Sequence, residues 1–339
     1  MRRVVRAHPV LCYYLLALAI CSSVVAVQVV YGAAWQQRTG QPFQYNEGLW
    51  KLLLQFGGGK MYANLVSIAW SAAHMPIYFG VFFFGGAPTI SAVTINAIGW
   101  GRPGLARLFG RLKPWASPDF RRDALVVYAA VAALMFGMTL LHLAIVYAYQ
   151  GQAEMLSAAS VWGLPAWLLP LPFLVGGLID EGGTPEELGW RGFALPVMMD
   201  KIRTPIVAAL FLGFLWWLWH FPREIPDIMA GATKWAEFVP DQLIFMGLVI
   251  AMTITMTYAF HRTGSVLPSI LIHGWGNFAT KAVGVYTLTH FDDRTWMFAI
   301  VAVGLVVFTR TRLGRDLYLQ RRARMGRTSE LPLLPPASA

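Results

Sequence analysis

Residues 204–222 read TPIVAALFLGFLWWLWHFP and contain no Asp, Glu, Lys or Arg. A helix that crosses a bilayer needs about 20 mostly apolar residues, so this stretch predicts a transmembrane helix. Only 13% of the 339 residues are charged, against about 25% in a soluble domain. Other charge-free stretches recur along the chain, at 10–34, 61–101, 124–149, 155–179, 242–260, 263–280 and 295–309. The sequence therefore predicts an all-α fold, a polytopic membrane helix bundle of about eight transmembrane helices.

The stretch 61–101 is too long for a single crossing. Pro76 and the small residues at 85–88 (Gly85, Gly86 and Pro88) interrupt it. We therefore expect one broken or tilted span near 72–99, preceded by a partly interfacial segment.

The formal net charge of +10 is concentrated in three clusters: at the N-terminus (Arg2, Arg3 and Arg6), in the loop 101–122, and in the tail 310–327. An excess of Lys and Arg beside transmembrane helices marks cytoplasmic loops. All three clusters lie on the same side of the membrane if two spans separate the N-terminal cluster from the loop 101–122 and six spans separate that loop from the tail. The charge thus predicts eight spans with both termini cytoplasmic, and it does not require a nucleic-acid partner.

Residues 184–191 read TPEELGWR. Thr184 followed three residues later by Glu187 predicts a capping box, and hence a helix from about residue 185. Glu187 and Arg191 are four residues apart and can pair on one helix face, whereas Glu186 points about 100° away from Glu187. The stretch therefore predicts one neutralised carboxylate and one that is free to act, unless it is only an ordinary capped helix.

The apolar stretch 204–222 ends in Trp216-Trp217-Leu218-Trp219-His220. A lone histidine in such a helix is often a packing residue, and tryptophans also suit a membrane interface. If this helix is antiparallel to the glutamate helix across the polar turn 200–204, Glu186 and His220 lie at similar depth. They could then share a water molecule, which general-base catalysis requires.

Residues 269–277 read SILIHGWGN. The spacing of four places His273 and Asn277 on one helix face. Such a pair can join neighbouring helices or form part of a catalytic site.

Together the three stretches resemble the CPBP family, the CAAX-protease and bacteriocin-processing membrane peptidases, also called Abi. Its motifs are Glu-Glu-x-x-x-Arg, aromatic-x-x-x-His and His-x-x-x-Asn, which correspond here to Glu186-Glu187 with Arg191, Trp216 with His220, and His273 with Asn277. The resemblance covers about residues 160–280 and is closest to the bacterial branch.

The resemblance implies an intramembrane endopeptidase of a bacterial cell membrane that acts on a membrane-associated peptide or protein. Glu186 would activate the attacking water with help from His220, and Glu187, Arg191 and Trp216 would support the site. His273 and Asn277 would stabilise the oxyanion. We expect no metal cofactor; the alternative is zinc held by Glu186, His220 and His273, although no His-Glu-x-x-His motif is present.

The resemblance also divides the chain. Residues 1–154 would form N-terminal spans that carry the basic loop, 155–282 the catalytic core, 283–320 the last span and basic tail, and 321–339 a disordered tail.

Two other functions are considered: a non-catalytic bacteriocin self-immunity or membrane scaffolding protein, and a proton-coupled transporter that would use His74 and His142 with the site residues. Intact motifs disfavour the first, and the absence of an inverted repeat disfavours the second.

Overall fold

The computed structural model describes residues 1–57, 64–151, 170–202, 204–229, 233–282, 287–288 and 291–309. Across these ranges the chain is helical apart from one antiparallel pair of two-residue strands, β1 (Thr287–Leu288) and β2 (Phe291–Asp292). The predicted all-α membrane bundle is therefore confirmed. The tail 321–339, predicted to be disordered, lies outside the described residues.

In the part of the N-terminal half that the structure describes there are six helices: α1 (Arg2–Ala7), α2 (Pro9–Thr39), α3 (Tyr45–Phe56), α4 (Leu65–His74), α5 (Gly80–Gly110) and α6 (Arg121–Gln150). Short 3-10 turns, Pro76–Phe79 and Pro118–Phe120, precede α5 and α6.

The C-terminal half contains α7 (Pro170–Leu178), α8 (Gly183–Gly189), α9 (Leu195–Ile202), α10 (Pro205–His220), α11 (Ile225–Met229), α12 (Trp235–Thr263), α13 (Leu267–Ala282) and α14 (Asp293–Thr309). A π-helical turn, Trp190–Ala194, joins α8 to α9, and a 3-10 turn, Phe221–Glu224, follows α10.

Five helical segments of the described chain are long and apolar enough to cross a bilayer: Pro9–Thr39, Pro76–Gly110, Pro118–Tyr149, Pro205–Glu224 and Trp235–Thr263. Two more apolar helices, Leu65–His74 and Met297–Val307, are shorter. The predicted crossing at 155–179 falls largely outside the described residues. The chain is thus an integral membrane protein by the length and composition of its helices, and the predicted count of eight spans is not confirmed.

The expected break at residues 85–88 does not occur, because α5 continues through them. Gly85 instead permits a close contact: a Cβ on it would lie 2.6 Å from the carbonyl oxygen of Glu181. Likewise, a Cβ on Gly189 would collide with the backbone of Pro88. These small residues therefore allow α8 and the loop before it to pack tightly against α5.

The π-helical turn lies at the centre of the bundle. Leu195 N–H bonds to the carbonyl of Trp190, five residues earlier. Pro196 has no N–H to donate to the carbonyl of Gly192, four residues earlier, and the guanidinium of Arg111 donates to that carbonyl instead. Such turns are frequent at functional sites. The loop that follows α5 thereby helps to hold the helix that carries the glutamates.

The ring of Trp190 is fully buried between two long helices. Its centroid lies 5.5 Å from that of Tyr13 on α2 and 5.8 Å from that of Trp219 on α10. Edge-to-face contacts of this kind stabilise a core beyond the area that they bury. The glutamate helix is consequently anchored on two sides by aromatic packing.

Candidate active site

The start of α8 is stabilised by a residue that sequence reasoning missed. The capping box predicted from Thr184 does not form, because the Thr184 hydroxyl donates to the carbonyl of Leu178. Asp180 takes over this role: its Oδ2 accepts the backbone N–H groups of Gly182 (2.8 Å) and Gly183 (2.7 Å). An aspartate followed by glycines is a known turn pattern, in which the carboxylate bonds to the backbone two residues on. That signal was present in the sequence.

Glu187 is fully buried and paired, as the spacing of four predicted. Its Oε1 accepts Nη1 of Arg191 at 2.8 Å and Nδ1–H of His273 at 2.9 Å. Arg191 is also fully buried, and its Nη2 donates to the hydroxyl of Thr253 on α12 at 2.7 Å. Buried charges are tolerated only when they are paired and hydrogen-bonded. Glu187 therefore joins α8 to α13, and Arg191 joins the π-helical turn to α12.

Glu186 is 5% exposed and finds its partner on another helix. Nε1–H of Trp216, on α10, donates to its Oε2 at 2.8 Å. The same indole ring lies beneath Arg191, with 4.3 Å between the guanidinium carbon and the ring centroid, a cation–π arrangement. Trp216 therefore orients one oxygen of Glu186 and leaves Oε1 for other contacts.

His220 lies one helical turn beyond Trp216 on α10 and is half-buried. Its Nδ1–H donates to the carbonyl of Trp216 at 2.8 Å, and its ring packs edge-on against Trp219 and Phe245. The glutamate helix α8 and α10 thus meet within one helical turn of the depth at which Glu186 and His220 were predicted to lie. The side chain that contacts Glu186, however, is Trp216 and not His220.

His273 and Asn277 lie on the same face of α13, and each is held by a carboxylate. Nδ1 of His273 bonds to Glu187, and Nδ2 of Asn277 donates to Oδ2 of Asp180 at 3.0 Å. Sequence reasoning did not identify either contact, because both partners come from a distant part of the chain.

Gly182 leaves a small space that is lined by three polar atoms. A Cβ on this residue would lie 2.9 Å from Nδ2 of Asn277, 3.0 Å from Nε2 of His273 and 3.2 Å from Oε1 of Glu186. That position is within bonding distance of the Gly182 backbone, so it marks the point on which the three groups converge and is not itself a water site. The missing side chain at Gly182 thus allows one acceptor and two nitrogen atoms to come together beside the backbone.

The predicted alternative of a zinc site is not supported by the arrangement of its proposed ligands. Within the described ranges no group of three or more His, Cys, Asp or Glu side chains is placed to hold one metal ion. His220 and His273 each donate Nδ1–H and keep Nε2, so these hydrogen bonds do not themselves exclude a metal. It is the placement of Glu186, His220 and His273, and not their hydrogen bonds, that disfavours a three-ligand zinc set.

Two comparisons find that the C-terminal half of the chain is similar to known endopeptidases. The family described as "Type II CAAX prenyl endopeptidase Rce1-like" matches residues 162–279, a range that contains every site residue from Asp180 to Asn277. CAAX prenyl protease 2 of Methanococcus maripaludis is 24% identical over 139 residues, which are 39% of this chain and 49% of that protein. The chain thus matches about half the length of this relative.

Proposed function

We propose that this chain is an intramembrane endopeptidase of the CAAX protease and bacteriocin-processing family, a proposal that both matches support. It hydrolyses a peptide bond in a membrane-associated protein or peptide with a water molecule activated by Glu186. The observation that carries this proposal is the space at Gly182, where Glu186, His273 and Asn277 converge.

Glu186 is the general base in this proposal. Trp216 occupies its Oε2, so Oε1 is the oxygen that faces the space. A water molecule within hydrogen-bond distance of Oε1 can lose its proton to it as the oxygen attacks the scissile carbonyl. The aromatic position of the second motif is thereby part of the catalytic apparatus, since it determines which glutamate oxygen acts.

His273 and Asn277 stabilise the oxyanion of the tetrahedral intermediate. His273 uses Nδ1–H for Glu187, so it must be doubly protonated to donate from Nε2 as well. The surrounding charges favour that state, because three carboxylates (Asp180, Glu186 and Glu187) face a single guanidinium, Arg191. Preorganised donors of this kind contribute several kcal/mol to catalysis in other enzymes.

His220 assists as a proton carrier. Its Nδ1–H is committed to the carbonyl of Trp216, which leaves Nε2 of the neutral ring as an acceptor. One turn beyond Trp216, which bonds to Glu186, it takes over the proton that Glu186 removes from the water and passes it to the leaving amine. This role follows the family pattern and is part of the proposal.

The substrate and the membrane orientation belong to the proposal as well. We assign the protein to a bacterial cell membrane with both termini cytoplasmic, because the basic clusters lie beside the predicted spans. Its partners are the lipid bilayer and the substrate, and no nucleic acid. The name of the archaeal relative makes a prenylated CaaX peptide the first substrate to test, with leader peptides as the other class.

The test uses the full-length protein in lipid nanodiscs and an internally quenched peptide that ends in a farnesylated CaaX sequence. We expect cleavage by the wild type and a loss of about a thousandfold or more for Glu186→Gln, since the general base is removed. Glu237→Gln is the matched control, because that glutamate is exposed on α12. Membrane proteomes of cells that express either form identify natural substrates.

Two results would overturn the proposal. The first is equal cleavage by the wild type and Glu186→Gln. The second is the absence of any Glu186-dependent fragment, both from the peptide and in the proteomes. Exhaustive chelation should leave cleavage unchanged, and a loss that zinc restores would contradict the metal-free mechanism.

A further inference from the structure

Asp180 is a fully buried carboxylate that lies outside the three sequence motifs. Its Oδ2 accepts three hydrogen bonds, from the N–H groups of Gly182 and Gly183 and from Nδ2 of Asn277. Oδ2 of Asp180 thus holds both the Gly182–Gly183 backbone, which borders the space, and the Asn277 amide, which faces it. A cap needs only the backbone bonds, so the bond to Asn277 calls for a separate explanation.

The carboxylate determines which end of the Asn277 amide faces it. The two ends of an asparagine amide have nearly the same shape, and the hydrogen-bond partners select between them. An ionised carboxylate can only accept, so Asn277 must turn its NH₂ group toward Asp180. Hydrogen bonds to a charged acceptor are about twice as strong as neutral ones, and this strength opposes a flip.

The same orientation places a second N–H at the space beside Gly182. Nδ2 carries two hydrogens; one is used by Asp180, and Nδ2 lies 2.9 Å from the position of a Cβ on Gly182. In the flipped amide the carbonyl oxygen would lie there and repel a developing oxyanion. Loss of the carboxylate would therefore affect the intermediate more than the bound substrate.

We infer that Asp180 is a positioning residue: it holds the Asn277 amide in the orientation that donates to the oxyanion, and it holds the Gly182–Gly183 backbone beside it. The inference rests on the proposed function, because it assumes that Asn277 is an oxyanion donor. A residue that served only as a helix cap would stabilise the fold without depending on Asn277.

The experiment is a double-mutant cycle on the full-length protein in nanodiscs, with the farnesylated peptide as the probe. Asp180→Asn keeps the shape of the side chain, and Asn277→Ala removes the donor. Asp119→Asn, an exposed aspartate remote from the site, is the matched control. Thermal unfolding is measured for each protein, and Asp180→Ala is carried through the same cycle as the stronger perturbation.

We expect Asp180→Asn to lower kcat by about tenfold, a part of the roughly hundred- to thousandfold effect of losing an oxyanion donor. KM should change by less than about threefold, because the interaction is made in the transition state. In the Asn277→Ala background the same change should alter kcat by less than about twofold, since residues in one network are not additive.

Two results would contradict the inference, and they differ in meaning. An equal loss of kcat in both backgrounds would make Asp180 a structural cap only, while the endopeptidase assignment would stand. A wild type without Glu186-dependent hydrolysis would overturn the proposed function and this inference with it.

Discussion

The replacement Gly182→Ala examines the site with a single added carbon atom. The backbone of Gly182 has φ −104° and ψ −54°, a right-handed conformation that alanine adopts without strain. The substitution therefore leaves the chain path intact. Its effect comes from the space that the methyl group fills.

The magnitude follows from the three distances around that space. A methyl carbon 2.9 Å from Nδ2 of Asn277, 3.0 Å from Nε2 of His273 and 3.2 Å from Oε1 of Glu186 would push these three groups out of their positions. We expect kcat/KM to fall by at least about a hundredfold, the lower end of the effect of losing one oxyanion donor. That corresponds to about 2.7 kcal/mol of transition-state stabilisation.

The fold should change little by comparison. A Gly→Ala replacement at a compatible position stabilises by about 0.4–1 kcal/mol through the unfolded chain, and crowding of the three polar ends opposes it by about 1–3 kcal/mol. The net change in the free energy of unfolding should thus stay within about 2.6 kcal/mol. Inactivity with retained folding is the expected signature.

Two neighbouring replacements provide the controls. A Cβ on Gly183 would lie 2.7 Å from the backbone nitrogen of Gly274, so Gly183→Ala should disturb the packing of α8 on α13 and lower the thermal unfolding midpoint. Gly247, on α12, faces open space, and Gly247→Ala should remain active and folded. The assay pairs thermal unfolding with cleavage of the farnesylated peptide. Turnover by Gly182→Ala at the wild-type rate would refute the placement of the reacting water at this space.

Three further substitutions examine the support of the site. Trp216→Phe keeps an aromatic ring beneath Arg191 but removes the indole N–H from Glu186; we expect kcat about tenfold lower, and an unchanged kcat would contradict the orienting role. Thr253→Val leaves a buried guanidinium nitrogen without its partner and should destabilise the protein by about 1–3 kcal/mol in thermal unfolding; a change below about 0.5 kcal/mol would show that Arg191 is held well enough by Glu187. Glu187→Gln breaks a buried ion pair, for which we expect a loss of about 3–5 kcal/mol; wild-type stability would count against that pairing.

Local spacing predicted the contacts that lie within one helix turn. Glu187 and Arg191 pair because residues four apart face each other on a helix. The partner of Glu186 could not be derived in this way, since Trp216 lies 30 residues away and on another helix. The position of Trp216 depends on how α10 packs against α8. Residue spacing along the sequence predicts the depth of a side chain in the bundle only to about one helical turn.

The capping prediction was wrong for a physical reason that the sequence contained. Thr184 can satisfy its hydroxyl with a preceding carbonyl, that of Leu178, and a carboxylate is the stronger acceptor for the free N–H groups at a helix start. Asp180 therefore takes the place of Thr184 and accepts the N–H groups of Gly182 and Gly183. A search for Asx turns as well as capping boxes would have identified the residue.

Membrane insertion followed from composition, whereas the count of spans did not. Charge-free length is a good measure of a long helix such as Pro9–Thr39. It fails for α13, because that helix has only 16 residues and is stabilised by polar contacts with α8 and the loop before it as well as by its apolar side chains. Functional helices in such a bundle need not resemble an isolated transmembrane segment.

The hydrogen bonds to Glu187 also become possible at different times during biosynthesis. The carboxylate is bonded by Arg191, four residues later, and by His273, 86 residues later. Arg191 and His273 are 82 residues apart, so at about 5–20 residues per second translation separates the two partners by roughly 4–16 s. During that interval the glutamate pair is already anchored to its own helix but lacks its contacts from α13. The growing chain therefore enters the membrane with an incomplete site, which is completed only when α13 joins the bundle.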